Sequence, residues 1–515
     1  MNEWKEQRRA VFEKMKQHPP DLVIAGGGVT GAGIAREAAL AGLKVLLVES
    51  MDFGWGSSSC SSKLVHGGLR YLQSGQPGVT YRSVREREAL MKELPGLIRP
   101  LDFVLPVYST KNRVLFKVGL MVYDIFAGKS YHHSVSAQAM KDAFVGLKSA
   151  NLLGGYVYYD AQTDDMRLVM RILHDAENAG ATIMNYAPLV KPLLEGSGVK
   201  GVKGVKIQDR IDGTEHVIPC SVLVNATGAN VVQLRRTLGL PKLIRPLRGS
   251  HLVFKNERLP VTKALAFSHP VDRRNVFLLP WLGVTFVGTT DLDHDAPADT
   301  LPVISDAERR YLLEAVNAMF PDAKITEADV ISTWSGVRTV VSSGAKDPSK
   351  ESRDMFIDLD RGLLTVTGGK LTTFRNEAIH ALTKLDGIFP TLKGLRPRPF
   401  ANPAMKQNTE LSRYLSAAYG ADAAALESRL EQEPSPFFAG TQILREAARY
   451  ALENEWVVHL DDLMIRRLRL GILLPEGGKA VLGEIRTMCL KAGWSEDYYA
   501  QEEQRYKDLI AKSYS

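Results

Sequence analysis

The 515 residues are 45% hydrophobic and 24% charged, with 43 Gly and 25 Pro, which excludes a disordered, collagen-like or low-complexity protein. Lys and Arg total 65 against 58 Asp and Glu, and the net charge of +7 favours anionic partners without choosing among phosphorylated substrates, acidic lipid and nucleic acid. The cysteines, Cys60, Cys220 and Cys489, form no CxxC pair, so a reducing interior is expected, with neither a disulfide framework nor a metal centre.

Met1 to Gln17 is charged throughout and lacks the apolar core of a signal peptide. Trp4, Val11, Phe12 and Met15 share one helical face, ringed by Arg8, Arg9, Lys14 and Lys16. That pattern suits a membrane-surface helix or a helix packed on its own domain. Asp21 to Ala25 reads as a buried strand, Ala32 to Gly42 as an Ala-rich helix, and Lys44 to Val48 as a second strand ending at Glu49. Residues 52–62 have loop composition, rich in Gly and Ser. Val114 to Phe126 is the longest apolar stretch, but Lys117 and Asp124 interrupt it, so no membrane span is expected. Met166 to Ala179 predicts a helix, Ala181 to Val190 a strand, and 201–218 a hairpin about Asp212-Gly213. Val222 to Ala226 is another buried strand. Runs at 252–254, 276–279 and 284–287 suggest an antiparallel sheet, and 363–367 is a further buried strand. Beyond about 408 the chain reads as helices at 411–419, 421–430, 440–454, 461–470 and 478–492.

Gly26, Gly28 and Gly31 follow a strand and open a helix, which lets backbone approach a pyrophosphate at the helix N-terminus. Glu49 ends the next strand, roughly 20 residues on, where a carboxylate accepts ribose hydroxyls and repels a 2′-phosphate. The following stretch holds Ser57, Ser58, Lys63, His66, Gly67, Gly68, Arg70 and Tyr71. It offers hydroxyls, cations and small residues suited to a flat ring, so FAD is favoured over NAD.

These motifs, with 245–251 (Arg-Pro-Leu-Arg-Gly-Ser-His), 288–291 (Gly-Thr-Thr-Asp), 334–338 (Trp-Ser-Gly-Val-Arg) and 367–375 (Thr-Gly-Gly-Lys-Leu-Thr-Thr-Phe-Arg), resemble the FAD-dependent glycerol-3-phosphate dehydrogenases. The resemblance runs from about residue 19 to the C-terminus. It implies an α/β fold: a glutathione-reductase-type, Rossmann-like FAD domain, an antiparallel-sheet substrate domain and a C-terminal all-α cap. It further implies oxidation of sn-glycerol 3-phosphate to dihydroxyacetone phosphate, with non-covalent FAD passing electrons to membrane quinone. The expected division is a basic helix at 1–18, an oxidoreductase region at 19–407 and a helical domain at 408–515. FAD-binding parts at about 19–110, 150–245 and 335–407 interleave with substrate-binding parts at about 111–149 and 246–334.

By the same resemblance Arg70, Tyr71, Arg338 and Lys370 bind substrate, and Arg and Lys suit a phosphate dianion physically; Asp291 is a candidate to orient a base or a substrate hydroxyl, or else caps the following turn. Lys370 equally suits the flavin, where a cation stabilises negative charge. Val190, Ala226, Thr227, Gly228, Gly368, Gly369 and Leu371 are expected against FAD. Removing the hydroxyl proton needs a base titrating near neutrality; His251 is the first candidate and His66 the second, His66 sitting better against the flavin. An arbitrary histidine is more often structural, and that reading stands beside the catalytic one here. The protein is expected in the cytoplasm, peripheral to the inner face of the cell membrane. The 1–17 helix, the 113–126 segment and Arg466-Arg467-Leu-Arg469 are candidate contacts with anionic lipid, against the plainer readings of packed helices and a solvated charge run. No nucleic acid partner is expected, and a homodimer is left open. The rivals are an oxidase that returns electrons to O2 as H2O2, and a non-catalytic flavin-binding module.

Overall fold

Leu22–Ala25 is apolar on both faces, and it forms a central strand of a six-stranded sheet. In a computed structural model, residues 2–73, 76–195, 201–241, 244–297, 299–342, 355–405, 408–431 and 435–515 are described, the side chains of 2–4, 70 and 73 excepted. The sheet runs Phe356–Asp360, Leu363–Thr367, Val222–Asn225, Leu22–Ala25, Val45–Val48 and Thr182–Met184, parallel except for its first pair. The Val29–Leu40 helix packs on it beside Asp165–Asn178 and Phe374–Thr383. Its buried Ala32, Ala35 and Ala38 permit the close approach, and Gly33 abuts Phe374.

The expected strand at 181–190 divides in two, Thr182–Met184 and Leu189–Leu194, because Asn185 to Pro188 turn out of the first sheet. The second piece joins the hairpin Val202–Gln208 and Glu215–Pro219 in a three-stranded antiparallel sheet. The N-terminal helix, Asn2–Gln17, lies on this sheet and not outward. Phe12 is fully buried and stacks on His216 at 4.1 Å, while Arg8 donates to Asp209 at 2.8 Å and to the Asn185 carbonyl at 2.8 Å. The apolar face offered for lipid is therefore covered by the protein itself. Trp4 lies outside the described side chains.

A larger sheet, almost wholly antiparallel, carries Ile98–Val107, Gly154–Thr163, Ile244–Lys255, Ala264–Ser268, Asn275–Trp281, Val284–Gly288 and Val330–Val341. Its longest pairing sets Leu247 against Arg338 and His251 against Trp334. Helix Thr110–Ala127 lies across one side of it, and Asp306–Met319 also packs against it.

The C-terminal region is helical: Glu410–Tyr419, Ala423–Leu430, Arg445–Asn454, Leu482–Lys491 and Glu496–Ser513. The helix expected from 440 starts at Arg445, since Gly440 takes φ 73° in a turn closed by a Phe437–Leu444 bridge. The expected 461–470 helix is a wider π-helical turn, Asp462–Arg467, ended by Arg469 at φ 62°. Its arginines face neither lipid nor water. Arg466 and Arg467 reach Asp52 beneath the six-stranded sheet's loops, and Arg469 reaches Asp164 and Asp165. All six residues are buried or nearly so. Among the described residues no helix is long and apolar enough to cross a membrane.

Candidate functional site

At the C-terminal ends of Leu22–Ala25 and Val222–Asn225 the chain turns through Gly26 to Gly28 and Ala226 to Gly228. Gly26 takes φ 113°, and a Cβ there meets the Ala226 carbonyl; a Cβ on Gly31 meets the Gly26 carbonyl. Only glycine fits either position. The turn opens into a cavity of about 1420 Å³ that runs through the molecule to Gly368.

Gly26, Gly28, Glu49, Val190, Ala226, Thr227 and Gly228 line one end. Glu49 accepts the Gly27 amide at 2.7 Å, the Ser50 hydroxyl at 2.9 Å and the Met51 amide at 2.9 Å, which fixes its carboxylate at the wall. Ser57 and Ser58 line the middle, where Ser58 accepts the Val29 amide at 2.9 Å and Ser57 donates to the Val337 carbonyl. Gly31 stands behind this wall.

Lys63, expected against the cofactor, is off the cavity. It is fully buried, with Nζ 2.9 Å from Asp165, and stands 5.0 Å from the Trp334 ring. Burying an ammonium demands a paired carboxylate, and Asp165, which also accepts the Ser61 hydroxyl at 2.6 Å, supplies it. Lys63 thus supports the serine loop from behind.

The far end is lined by His66, Gly68, Tyr71, Asp291, Arg338, Gly368, Gly369, Lys370 and Leu371. Arg338 donates to Asp291 at 3.1 Å, to the Thr290 carbonyl at 3.1 Å and to the Thr289 hydroxyl at 2.8 Å. Asp291 also pairs with Arg274 at 2.8 Å, so this carboxylate orients two guanidinium groups. Gly249 leaves the space that the Arg338 guanidinium occupies. Lys370 Nζ sits 3.7 Å from the Tyr71 ring centroid and 3.4 Å from the Ser83 hydroxyl. The side chain of Arg70 lies outside the described residues.

His251 is not in the cavity wall. It is 1% exposed, stacks on Trp334 at 4.8 Å and places Nε2 2.9 Å from the Ser62 hydroxyl. Burial, with Arg338 and Lys63 nearby, holds its pKa well below the usual histidine range, so the ring is neutral. Residue 251 shares a strand face with Gly249, which lines the cavity, but Trp334 and Ser62 cover its ring and keep it off the wall. His66 does reach the wall; its amide donates to Thr372 at 2.9 Å, and the next amide, of Gly67, donates to Asp160 at 2.9 Å.

Two carboxyl groups here had no motif to mark them. Asp160 lines the cavity from the middle of a strand. Glu377 lies under the glycine turn, accepting the Lys370 amide at 3.0 Å and the Thr373 hydroxyl at 2.5 Å, and Gly369 leaves room for it. Burial raises the Glu377 pKa to about 7. A raised carboxyl pKa stabilises the fold fully below its unfolded value near 4.5, and that contribution disappears as pH rises through about 7. Replacing Glu377 with Gln is expected to remove a loss of roughly 2–3 kcal/mol between pH 5 and 7. Denaturant titrations of parent and variant across that range measure the difference; parallel profiles contradict it.

The glycine turn, the carboxylate at the second strand end and the cavity length fit an extended dinucleotide. The small residues at Gly68, Gly368 and Gly369 fit a flat ring at the other end. A family described as FAD dependent oxidoreductase matches residues 21–375, and a second, the C-terminal domain of alpha-glycerophosphate oxidase, matches 368–499. The chain is 31% identical over 500 residues to the aerobic glycerol-3-phosphate dehydrogenase of Staphylococcus saprophyticus, covering 89% of this chain and 88% of that one. The glycerol-3-phosphate dehydrogenase of Bacillus halodurans complexed with FAD has a similar fold, with TM-score 0.74 and 24% identity over 98% of this chain and 96% of that one. The L-alpha-glycerophosphate oxidase of Mycoplasma pneumoniae with FAD bound matches with TM-score 0.58 and 16% identity, over 71% of this chain and 94% of that one.

Proposed function

The chain belongs to the FAD-dependent oxidoreductase family, and from that premise we propose that it oxidises sn-glycerol 3-phosphate to dihydroxyacetone phosphate. A membrane quinone is the final acceptor in this reading. The observation that carries it is that Arg338 and Lys370 both line the cavity that Glu49 and the glycine turn also line. A phosphate monoester is nearly a dianion, and two cations on a largely enclosed wall match it.

Bound FAD supplies the hydride acceptor. Arg338, oriented by Asp291 and Thr289, holds the phosphate, and Lys370 adds the second charge. Arg70 joins them by the resemblance of its motif. Tyr71 gives Lys370 a ring face to rest on. An imidazole nitrogen of His66 takes the C2 hydroxyl proton, the role first assigned to His251, because His66 lines the cavity. Gly368 and Gly369, at φ 80° and 74°, keep backbone amides close to the ring end.

The lipid-soluble acceptor and a peripheral position on the cytoplasmic face of the membrane are supported by helix Thr110–Ala127. It buries Leu120, Tyr123 and Ala127, yet leaves Val114, Val118, Met121 and Ile125 on a second, exposed apolar stripe, Ile125 being 74% exposed. Lys111, Arg113 and Lys117 are also exposed on it, and Leu115 and Phe116 belong to the cavity wall. An apolar stripe among basic residues suits an anionic lipid surface.

The test is anaerobic mixing of the flavin-loaded protein with glycerol 3-phosphate, followed by a soluble quinone analogue or by air. Rapid loss of oxidised-flavin absorbance, reversed faster by the quinone, is the expected result. Reversal at least as fast by air makes the protein an oxidase, and unchanged absorbance removes the substrate.

A further inference from the structure

Asp160 sits mid-strand in Gly154–Thr163, is 2% exposed and lines the cavity. Its Oδ1 accepts three hydrogen bonds: from the Gly67 amide at 2.9 Å, Arg87 Nη1 at 2.6 Å and the Tyr123 hydroxyl at 2.7 Å. The donors come from three places. Gly67 follows His66, Arg87 belongs to helix Pro77–Glu93, and Tyr123 belongs to the helix with the exposed apolar stripe. Arg87 Nη1 also reaches the Tyr123 hydroxyl at 3.0 Å, which closes the group. Gly67 has no side chain because a Cβ there meets the Tyr123 hydroxyl and Val84, so the loop backbone rests directly on Tyr123.

This is an expensive arrangement for a mere strand contact, since a buried carboxylate requires a buried cation to balance it. Its connection to the His66 side of the cavity wall is the Gly67 amide. A hydrogen bond to a carboxylate is stronger and more directional than one to a neutral acceptor, so it holds the His66–Gly67 peptide in one orientation. We infer that Asp160 is a positioning residue of the reaction, fixing the His66 side of the cavity wall against Arg87 and Tyr123. The inference rests on the reading above, in which His66 takes the substrate proton.

Three full-length variants test it: Asp160→Ala, Asp160→Asn and Tyr123→Phe. The limiting rate of flavin reduction per bound FAD is measured at saturating glycerol 3-phosphate, beside the half-saturating concentration. Misplacing a catalytic group by about 1 Å costs up to ~100-fold, so Asp160→Ala is expected to slow the limiting rate ~30-fold, with half-saturation shifted less than about threefold. Asn keeps an acceptor oxygen and is expected to recover most of that rate; Phe removes one donor and is expected to cost ~5-fold. Deuterium exchange over residues 64–69, read without substrate, is expected to quicken in the Ala variant and not in the Asn variant.

A limiting rate within twofold of the parent in Asp160→Ala overturns the inference, as does a loss explained wholly by missing FAD. If Asp160→Ala does not fold, Tyr123→Phe decides, and a parental rate in it overturns the inference equally. If glycerol 3-phosphate fails to reduce the parent, the substrate reading has failed; the exchange measurement then decides, unchanged exchange in the Ala variant counting against Asp160.

Discussion

Arg338→Met is expected to lower kcat/KM for glycerol 3-phosphate by ~10²–10³-fold, mostly through KM, while the protein keeps its FAD. The guanidinium stands on the cavity wall, tied to Asp291, the Thr290 carbonyl and the Thr289 hydroxyl. Hydrogen bonds to charged groups are worth about 1.5–3 kcal/mol each, and a guanidinium offers a phosphate two in parallel. Asp291 retains Arg274 at 2.8 Å in the variant, so the loss is not that of an abandoned buried carboxylate. Arg338→Lys is expected to fall between the two, because an ammonium keeps the charge and loses the planar fork. Steady-state kinetics with flavin content measured alongside checks this. Unchanged KM and kcat/KM in the Met variant removes Arg338 from phosphate binding.

Asp52→Ala is expected to destabilise the protein by about 3–5 kcal/mol, the usual effect of leaving a buried charge without its partner. Asp52 is fully buried, accepting from Arg467 at 2.7 and 2.8 Å and from Arg466 at 2.5 Å. Those two arginines enter from the C-terminal helices, so the carboxylate joins the helical region to the loop after Glu49. Arg466 retains Asp461 and Asp462, which makes Arg467 the more exposed to the loss. Burial is the largest influence on Asp52, yet the two guanidinium groups outweigh it and hold its pKa below the ordinary value. Denaturant unfolding of parent and variant measures the effect. A difference under about 1 kcal/mol would mean that the cluster relaxes or admits water when opened.

The strand–glycine–helix start was readable without a structure because its physics is local. A βαβ turn needs its glycines within a few residues, and an acidic strand end follows at a set distance. Both requirements are written consecutively, and Gly26, Gly28 and Glu49 line the cavity as the motif demands. The Asp212-Gly213 hairpin was legible for the same reason. The C-terminal helices were legible as periodicity, but not their ends, which Gly440 and Arg469 set through turns and left-handed backbone.

What the sequence by itself determined, then, was the dinucleotide turn, the mixed α/β architecture and a set of cations with the chemistry of an anionic substrate. Tertiary structure alone decided which of those side chains reach the cavity. His251 lies two residues from Gly249 yet off the wall, held by Trp334 and Ser62 from distant segments. Lys63 has the look of a cofactor cation and the 466–469 arginines that of a surface charge run, yet buried carboxylates 102 to 415 positions away draw them inside. The N-terminal helix has a lipid-binding pattern, and its apolar face is met by His216 and the small sheet. An apolar stripe or a charge states only that a partner is needed. Whether that partner is lipid, ligand or another part of the same chain depends on long-range contacts that no local pattern encodes.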